Sequence, residues 1–246
     1  MLNYSRFKRR TDNCRRRVRY MEKITEYEFN GFKATVITPE NPNGKWIWKT
    51  EFLYAFDGAE RALLSRGYTR VYYAVSDMYG SYRAVRLMHA FHLDLLKRFP
   101  LCEKATLFGF SRGGLYAFNY SLFYPEYVEK IYLDAPVLDL KSWPRKGVDV
   151  REYNEMLEEY CLTDETLEKF KGCPVDNFAE FFSHKIPLFL VAGGADEVVA
   201  FEDNSKKLIS YASEHGENIK YRIKPECGHH PHSLEDVTEI VDFVEN

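Results

Sequence analysis

Residues 105 to 123 constrain the fold most tightly. Ala105 to Phe110 is a short apolar run of strand character, and Gly113 to Phe123 is apolar nearly all round, as a buried helix is. Gly109-Phe110-Ser111-Arg112-Gly113-Gly114 joins them and contains the pattern G-x-S-x-G. Small neighbours at Gly109 and Gly113 let the backbone bend sharply, so the Ser111 hydroxyl projects above the sheet instead of joining either element. The plainer alternative is a glycine-rich turn in which Ser111 only caps the helix.

The same alternation runs along the chain. Ile24 to Phe29 and Phe32 to Thr38 flank Asn30-Gly31, a dipeptide that favours the left-handed backbone of a tight hairpin. Trp46-Ile47-Trp48 is a short strand, Ala59 to Ser65 a helix ended by Gly67, and Arg70 to Val75 a strand. Ser81 to Phe99 has helical spacing and stops at Pro100; Val128 to Leu133 is again strand-like. Residues 139 to 180 lack a strand-like run but contain the helical stretches Asp149 to Tyr160 and Thr163 to Lys171, which reads as a helical insertion able to lid a pocket. Strand Pro187 to Val191, helix Glu202 to His215, strand Ile219 to Lys224 and a last helix complete the pattern. Ser233, three residues before Asp236, reads as the cap of that helix, with Val237, Ile240, Val241 and Val244 on one face. Such alternation predicts an α/β fold: a mostly parallel sheet covered on both faces and entered by an antiparallel hairpin.

A serine hydroxyl is a weak nucleophile and needs a base within hydrogen-bond reach, itself oriented by an anion. Downstream of Ser111, Gly193-Gly194-Ala195-Asp196 follows one strand, and Gly228-His229-His230-Pro231-His232 follows the next. Strand carboxyl ends share one edge of an open parallel sheet, so these loops can converge there. Asp134, at the end of another strand, is a rival for the acid, and Asp139 a weaker third. Three histidines within four residues invite a metal reading, but only Glu226 and Cys227 lie near them as further ligands, and no metal is expected. Cys227 reads as a small packed residue.

From about Ile24 onward, the entering hairpin, the serine turn, the insertion after Asp134, the acid loop and the Gly-His loop resemble, in that order, the α/β-hydrolase family. Within it the chain looks most like bacterial esterases of the prolyl-oligopeptidase-like and carbohydrate-esterase branch. The resemblance implies that Ser111 is the nucleophile, His229 the general base and acid, and Asp196 the orienting carboxylate. It also implies an oxyanion hole built from backbone donors. Arg112 supplies one, at a helix N-terminus. The second is expected at Trp48-Lys49-Thr50, centred on Lys49, although the His-Gly-Gly stretch common in lipases and esterases is absent. Tyr79-Gly80-Ser81 either lines the same edge or starts a helix capped by Ser81.

The expected reaction is acyl transfer from a small carboxylic ester to water, without a cofactor, with O-acyl carbohydrate among the candidate substrates. An insertion of about forty residues is small for a lipase lid, and Trp143, Tyr153 and Tyr160 offer either a stacking wall or core packing. A small-peptide serine peptidase and a non-catalytic binding protein on the same fold are the alternatives.

Composition limits the remainder. The chain has 246 residues, 45% of them hydrophobic, which suits one domain, and no apolar run is long enough to span a bilayer. Without an apolar leader, a cytoplasmic location and no membrane partner are expected. Five cysteines without a C-x-x-C pair read as free thiols. Residues 1 to 20 carry eight basic side chains against Asp12 alone under an overall formal charge of −3. They read as a disordered arm or an untranslated leader before Met21, with the hydrolase domain over 21 to 246; a nucleic-acid partner is not expected.

Overall fold

The computed structural model describes residues 22–246. The basic arm, Cys14 and the suggested start at Met21 lie outside the described residues. The hairpin forms as expected: β1 (Lys23–Phe29) pairs antiparallel with β2 (Phe32–Thr38), and Asn30 and Gly31 take φ of 47° and 84°. β2 in turn runs antiparallel to β4 (Thr69–Tyr73). β3 (Trp46–Lys49), β5 (Ala105–Phe110), β6 (Val128–Asp134), β7 (Leu188–Gly193) and β8 (Lys220–Lys224) continue the sheet in parallel, in the order β1-β2-β4-β3-β5-β6-β7-β8. All six residues of β5 and of β7 are buried, as strands covered on both faces must be.

Two apolar clusters flank the sheet. On one face, α2 (Tyr82–Arg98), α3 (Gly113–Phe123) and α7 (Ser205–His215) contribute Phe91, Leu95, Leu115, Phe118 and Leu208. On the other, α1 (Gly58–Leu64) and α8 (Thr238–Glu245) pack Leu63, Ile240, Val241 and Val244 against Ile47, Phe108 and Phe189. Each such side chain, fully buried, contributes about 1.5–3 kcal/mol. The expected cap at Ser233 does not form. α8 begins at Thr238, whose N–H donates to Asp236 at 2.9 Å, while the Ser233 N–H is drawn to Asp134 at 2.7 Å. A buried carboxylate outcompetes a helix end for that donor.

The insertion between β6 and β7 is helical: α4 (Val150–Glu159), α5 (Asp164–Lys169) and α6 (Phe178–Ser183). Its apolar face is turned into the body of the domain, where Phe181 stacks on Phe118 of α3 at 4.5 Å. At Tyr153 and Tyr160 the stacking wall resolves into packing. Tyr153 is buried with its hydroxyl on Asp164 at 2.7 Å, and the Tyr160 hydroxyl donates to the Tyr79 carbonyl at 2.9 Å. Among the described residues no helix is long and apolar enough to cross a membrane, and Cys102, Cys161, Cys173 and Cys227 are free.

Candidate active site

The serine turn is built where β5 meets β6. Phe110, the last residue of β5, lies opposite Asp134, the last of β6. The next residue, Ser111, takes φ of 50°, a left-handed conformation that a non-glycine residue adopts only when its surroundings dictate it. They do so here: the Ser111 N–H donates to the Asp134 carbonyl at 2.9 Å, and the Ser111 carbonyl accepts from Gly114 and Val137, each at 2.9 Å. The sharp bend thus resides in Ser111 itself. Gly109 and Gly113 serve close approach instead, since a Cβ on Gly109 would sit 2.9 Å from Ala117 Cβ and one on Gly113 3.0 Å from Thr50 Oγ1.

Loops from three strand ends then meet. His229 Nε2 lies 2.9 Å from Ser111 Oγ, and His229 Nδ1 lies 2.7 Å from Asp196 Oδ2. The other Asp196 oxygen accepts the N–H groups of Val198 and Val199 at 2.9 and 3.0 Å, which fixes the carboxylate on its own loop. Nδ1–H therefore faces the carboxylate, leaving the Nε2 lone pair to accept the Ser111 proton. The three residues singled out from spacing and order come together as one relay.

Asp134, the rival acid, is fully engaged elsewhere. It accepts the Tyr132 hydroxyl at 2.7 Å, the Ser233 N–H at 2.7 Å and His232 Nδ1–H at 2.8 Å, all in a buried setting. This second aspartate–histidine pair, which sequence reasoning missed as a pair, pins the far end of the His229 loop to β6. Asp139 bonds Lys207 at 2.9 Å and the Lys141 N–H at 3.0 Å, remote from the relay's hydrogen bonds. Cys227 bonds only main-chain oxygens, at 3.5 Å (His230) and 3.9 Å (Pro231).

The expectation for Lys49 is corrected. Lys49 does not stand in a loop: it ends β3, in register with Phe108 of β5 and wholly buried, with its ammonium 2.6 Å from Glu60. Burial pulls its pKa down and the Glu60 carboxylate opposes that shift. A run ending in Lys-Thr-Glu looked like a loop because charge usually marks solvent, whereas here the charge is paired inside. The chain turns only at Phe52, with φ of 56°, after Thr50 has bonded the Gly113 carbonyl at 2.8 Å. Among the described residues the N–H groups of Arg112, Glu51 and Phe52 find no protein acceptor.

Beside this turn Arg112 is held by three kinds of neighbour. Its Nε donates to buried Glu51 at 3.2 Å, Asp77 lies 3.4 Å from Nη1, and the guanidinium sits 5.5 and 5.9 Å from the ring centres of Phe52 and Tyr79. Burial opposes the Arg112 charge, but Glu51 and Asp77 outweigh it and hold its pKa above the ordinary value. Burial pushes the Glu51 carboxyl up despite Arg112. Ser81 proves to be the helix cap, accepting from the Ala84 N–H at 3.1 Å, while the Tyr79 hydroxyl reaches Glu155 at 2.7 Å and so joins the serine edge to the insertion.

A model of the prolyl oligopeptidase family matches residues 93–246. No curated protein matches the chain. Among solved structures, the Pyrococcus horikoshii acylaminoacyl peptidase superposes with a TM-score of 0.63 at 15% identity, over 85% of this chain and 38% of that one. The Porphyromonas gingivalis dipeptidyl peptidase 4 does so with 0.66 at 12% identity, over 92% and 36%. MGS-MChE2, an alpha/beta hydrolase enzyme from the metagenome of sediments from the lagoon of Mar Chica, Morocco, gives 0.54 at 16% identity, over 83% and 89%. These likenesses establish the α/β-hydrolase fold, and the chain spans less than two fifths of the length of the two peptidases.

Proposed function

The chain belongs to the prolyl oligopeptidase family and has the α/β-hydrolase fold, and we propose that it is a serine hydrolase in which Ser111, His229 and Asp196 transfer an acyl group from a small carboxylic ester to water. The observation that carries this reading is the continuous relay of 2.9 and 2.7 Å from Ser111 through His229 to Asp196. Ser111 Oγ attacks the ester carbonyl as His229 Nε2 takes its proton, and Asp196 stabilises the imidazolium that results. The carbonyl oxygen becomes an oxyanion beside the N-terminus of α3, where the Arg112 N–H and the helix dipole favour negative charge. A second donor comes from Glu51 or Phe52, one turn beyond Lys49. His229 returns its proton to the leaving alcohol, and water, deprotonated by the same nitrogen, releases the acid and restores Ser111.

A short acyl group fits best. The insertion directs Tyr153, Met156, Leu167 and Phe181 into the core, so these side chains are not available to hold a long chain over Ser111. A second reading, peptide-bond cleavage, is favoured by the family match and by the acylaminoacyl and dipeptidyl peptidases among the similar structures. The chemistry at Ser111 is the same for both, the leaving group being an amine instead of an alcohol.

Hydrolysis of p-nitrophenyl esters from acetate to long chains, beside acylaminoacyl and dipeptidyl p-nitroanilides, tests the proposal. Activity that peaks at acetate or butyrate and vanishes in Ser111→Ala supports the ester reading. Turnover of the anilides with weak ester hydrolysis replaces it with the peptidase reading, and folded protein that resists a fluorophosphonate probe refutes both.

A further inference from the structure

The loop that carries His229 holds two more imidazoles that proton transfer from Ser111 does not use. His229, His230 and His232 each offer one ligand atom, and these atoms lie within 4.8 Å of one another. Their ring centres are 4.9, 4.8 and 4.8 Å apart at interplanar angles of 66°, 80° and 89°, a three-sided arrangement and not a stack. In two of the three, Nδ1 is tied to a carboxylate: His229 to Asp196 at 2.7 Å, and His232 to Asp134 at 2.8 Å. Each carboxylate holds the proton on Nδ1 and the lone pair on Nε2. Metal-binding histidines have this outer support as a rule, because an anion behind the ring orients it and raises its basicity. Among the described residues His232 Nε2 makes no hydrogen bond, so the Asp134–His232 pair prepares a lone pair that nothing consumes. His230 is exposed, with its ring stacked on that of Phe56 at 5.7 Å between centres.

We propose that His229, His230 and His232 form a reversible site for a zinc-class divalent ion, and that occupancy switches the hydrolase off. The inhibitory half rests on the role proposed above for Ser111 and His229. Three imidazoles and one water complete the tetrahedral shell that zinc prefers. With Zn–N bonds of about 2.0–2.1 Å, tetrahedral donors stand roughly 3.4 Å apart. The three ligand atoms, within 4.8 Å of one another in the free protein, draw together to that spacing when the ion binds. The bonds of His229 to Asp196 and of His232 to Asp134 persist, because the ion takes the opposite ring nitrogen. What is lost is the Nε2 lone pair of His229, which then coordinates the ion and cannot accept the Ser111 proton. The ion is an inhibitor in this scheme, and the acyl-transfer reaction runs without it.

The test titrates the full chain with Zn²⁺ alone, following bound metal by competition with a chromophoric zinc indicator. Fluorophosphonate labelling of Ser111 is measured in parallel, as the ratio of rates with and without the ion. The expected result is one equivalent bound, labelling slowed at least tenfold at saturation and restored by EDTA, and affinity at least tenfold weaker in His230→Ala. His230→Cys, which supplies a thiolate ligand, recovers most of the affinity. The site is overturned if wild type binds no equivalent, or if His230→Ala binds zinc as wild type does. The switch is overturned if an equivalent is bound while labelling continues at full rate. Failure of the metal-free chain to label refutes the hydrolase reading instead, and the indicator titration still decides the site.

Discussion

Asp134, the last residue of β6, and Asp196, in the loop that follows β7, are both buried at the same sheet edge, and exchanging each for a neutral residue separates their roles. In Asp196→Asn the side-chain oxygen still accepts the Val198 and Val199 N–H groups, now at 2.9 and 3.0 Å, so the loop keeps its shape. The amide NH₂ then faces His229 Nδ1, 2.7 Å away in the wild type. Two donors cannot share that gap, so the imidazole moves its proton to Nε2 and presents N–H to Ser111. The base is lost. Turnover of a short ester is expected to fall about 10⁴-fold, equivalent to about 5 kcal/mol in the barrier, with stability changed by less than about 1 kcal/mol. Asp134→Ala does the reverse. It leaves the Tyr132 hydroxyl, the Ser233 N–H and His232 Nδ1–H without their acceptor in a buried setting. At about 1–3 kcal/mol for each orphaned donor the loss is roughly 3–9 kcal/mol, against a total stability of about 5–15 kcal/mol. The melting temperature should drop by roughly 6 °C or more. Urea unfolding and thermal melts read stability, and ester turnover with fluorophosphonate labelling reads the relay. If Asp134→Ala stays as stable as wild type yet loses about 10⁴ in labelling, while Asp196→Asn labels normally, the acid is Asp134 and the reasoning is wrong.

Other consequences are open to measurement. A Cβ on Gly193 would lie 2.2 Å from the Gly228 carbonyl oxygen, so Gly193→Ala should displace the His229 loop, cost about 1–3 kcal/mol and slow labelling of Ser111; unchanged kinetics would refute the close packing of β7 against that loop. His92 is buried between the Glu103 carbonyl at 2.7 Å and the Tyr120 hydroxyl at 2.8 Å, and burial lowers its pKa to about 4. The native state then favours neutral His92, so its contribution is complete above about pH 6.5 and is lost as pH falls from there to about 4, by about 3 kcal/mol in all. Urea midpoints across that range should show the decline, and His92→Gln should flatten it. Burial pushes the Cys173 thiol up to about 12, whereas Cys102 and Cys161 are exposed. Iodoacetamide should therefore modify Cys102 and Cys161 in the native protein and reach Cys173 only on unfolding, as peptide mass mapping will show.

Much of this protein was legible in its residues because the signals are local. β5 and α3 occupy the spans that their apolar patterns mark, Ala105–Phe110 and Gly113–Phe123, and Asn30-Gly31 turns the hairpin by its own backbone preference. The order serine, acid, histidine was readable too, since a parallel sheet brings successive strand ends to one edge. Lys49 and Ser233 were misread for one shared reason: each has a partner distant in sequence. Glu60 takes the Lys49 ammonium into the interior, and Asp134 draws the Ser233 N–H away from a helix cap.

By itself, then, the sequence determined the alternating α/β pattern, the serine turn and the chain order of serine, acid and histidine, because periodicity, turn chemistry and chain order depend on neighbours in the chain. Only the tertiary structure decided which aspartate serves His229, where the turn beside the serine begins, and that His232 is backed by Asp134. Those choices depend on register across β5 and β6, which places Phe110 opposite Asp134, and on which buried polar group reaches a scarce partner first. Pairings between residues 98 and 118 positions apart leave no trace in local spacing.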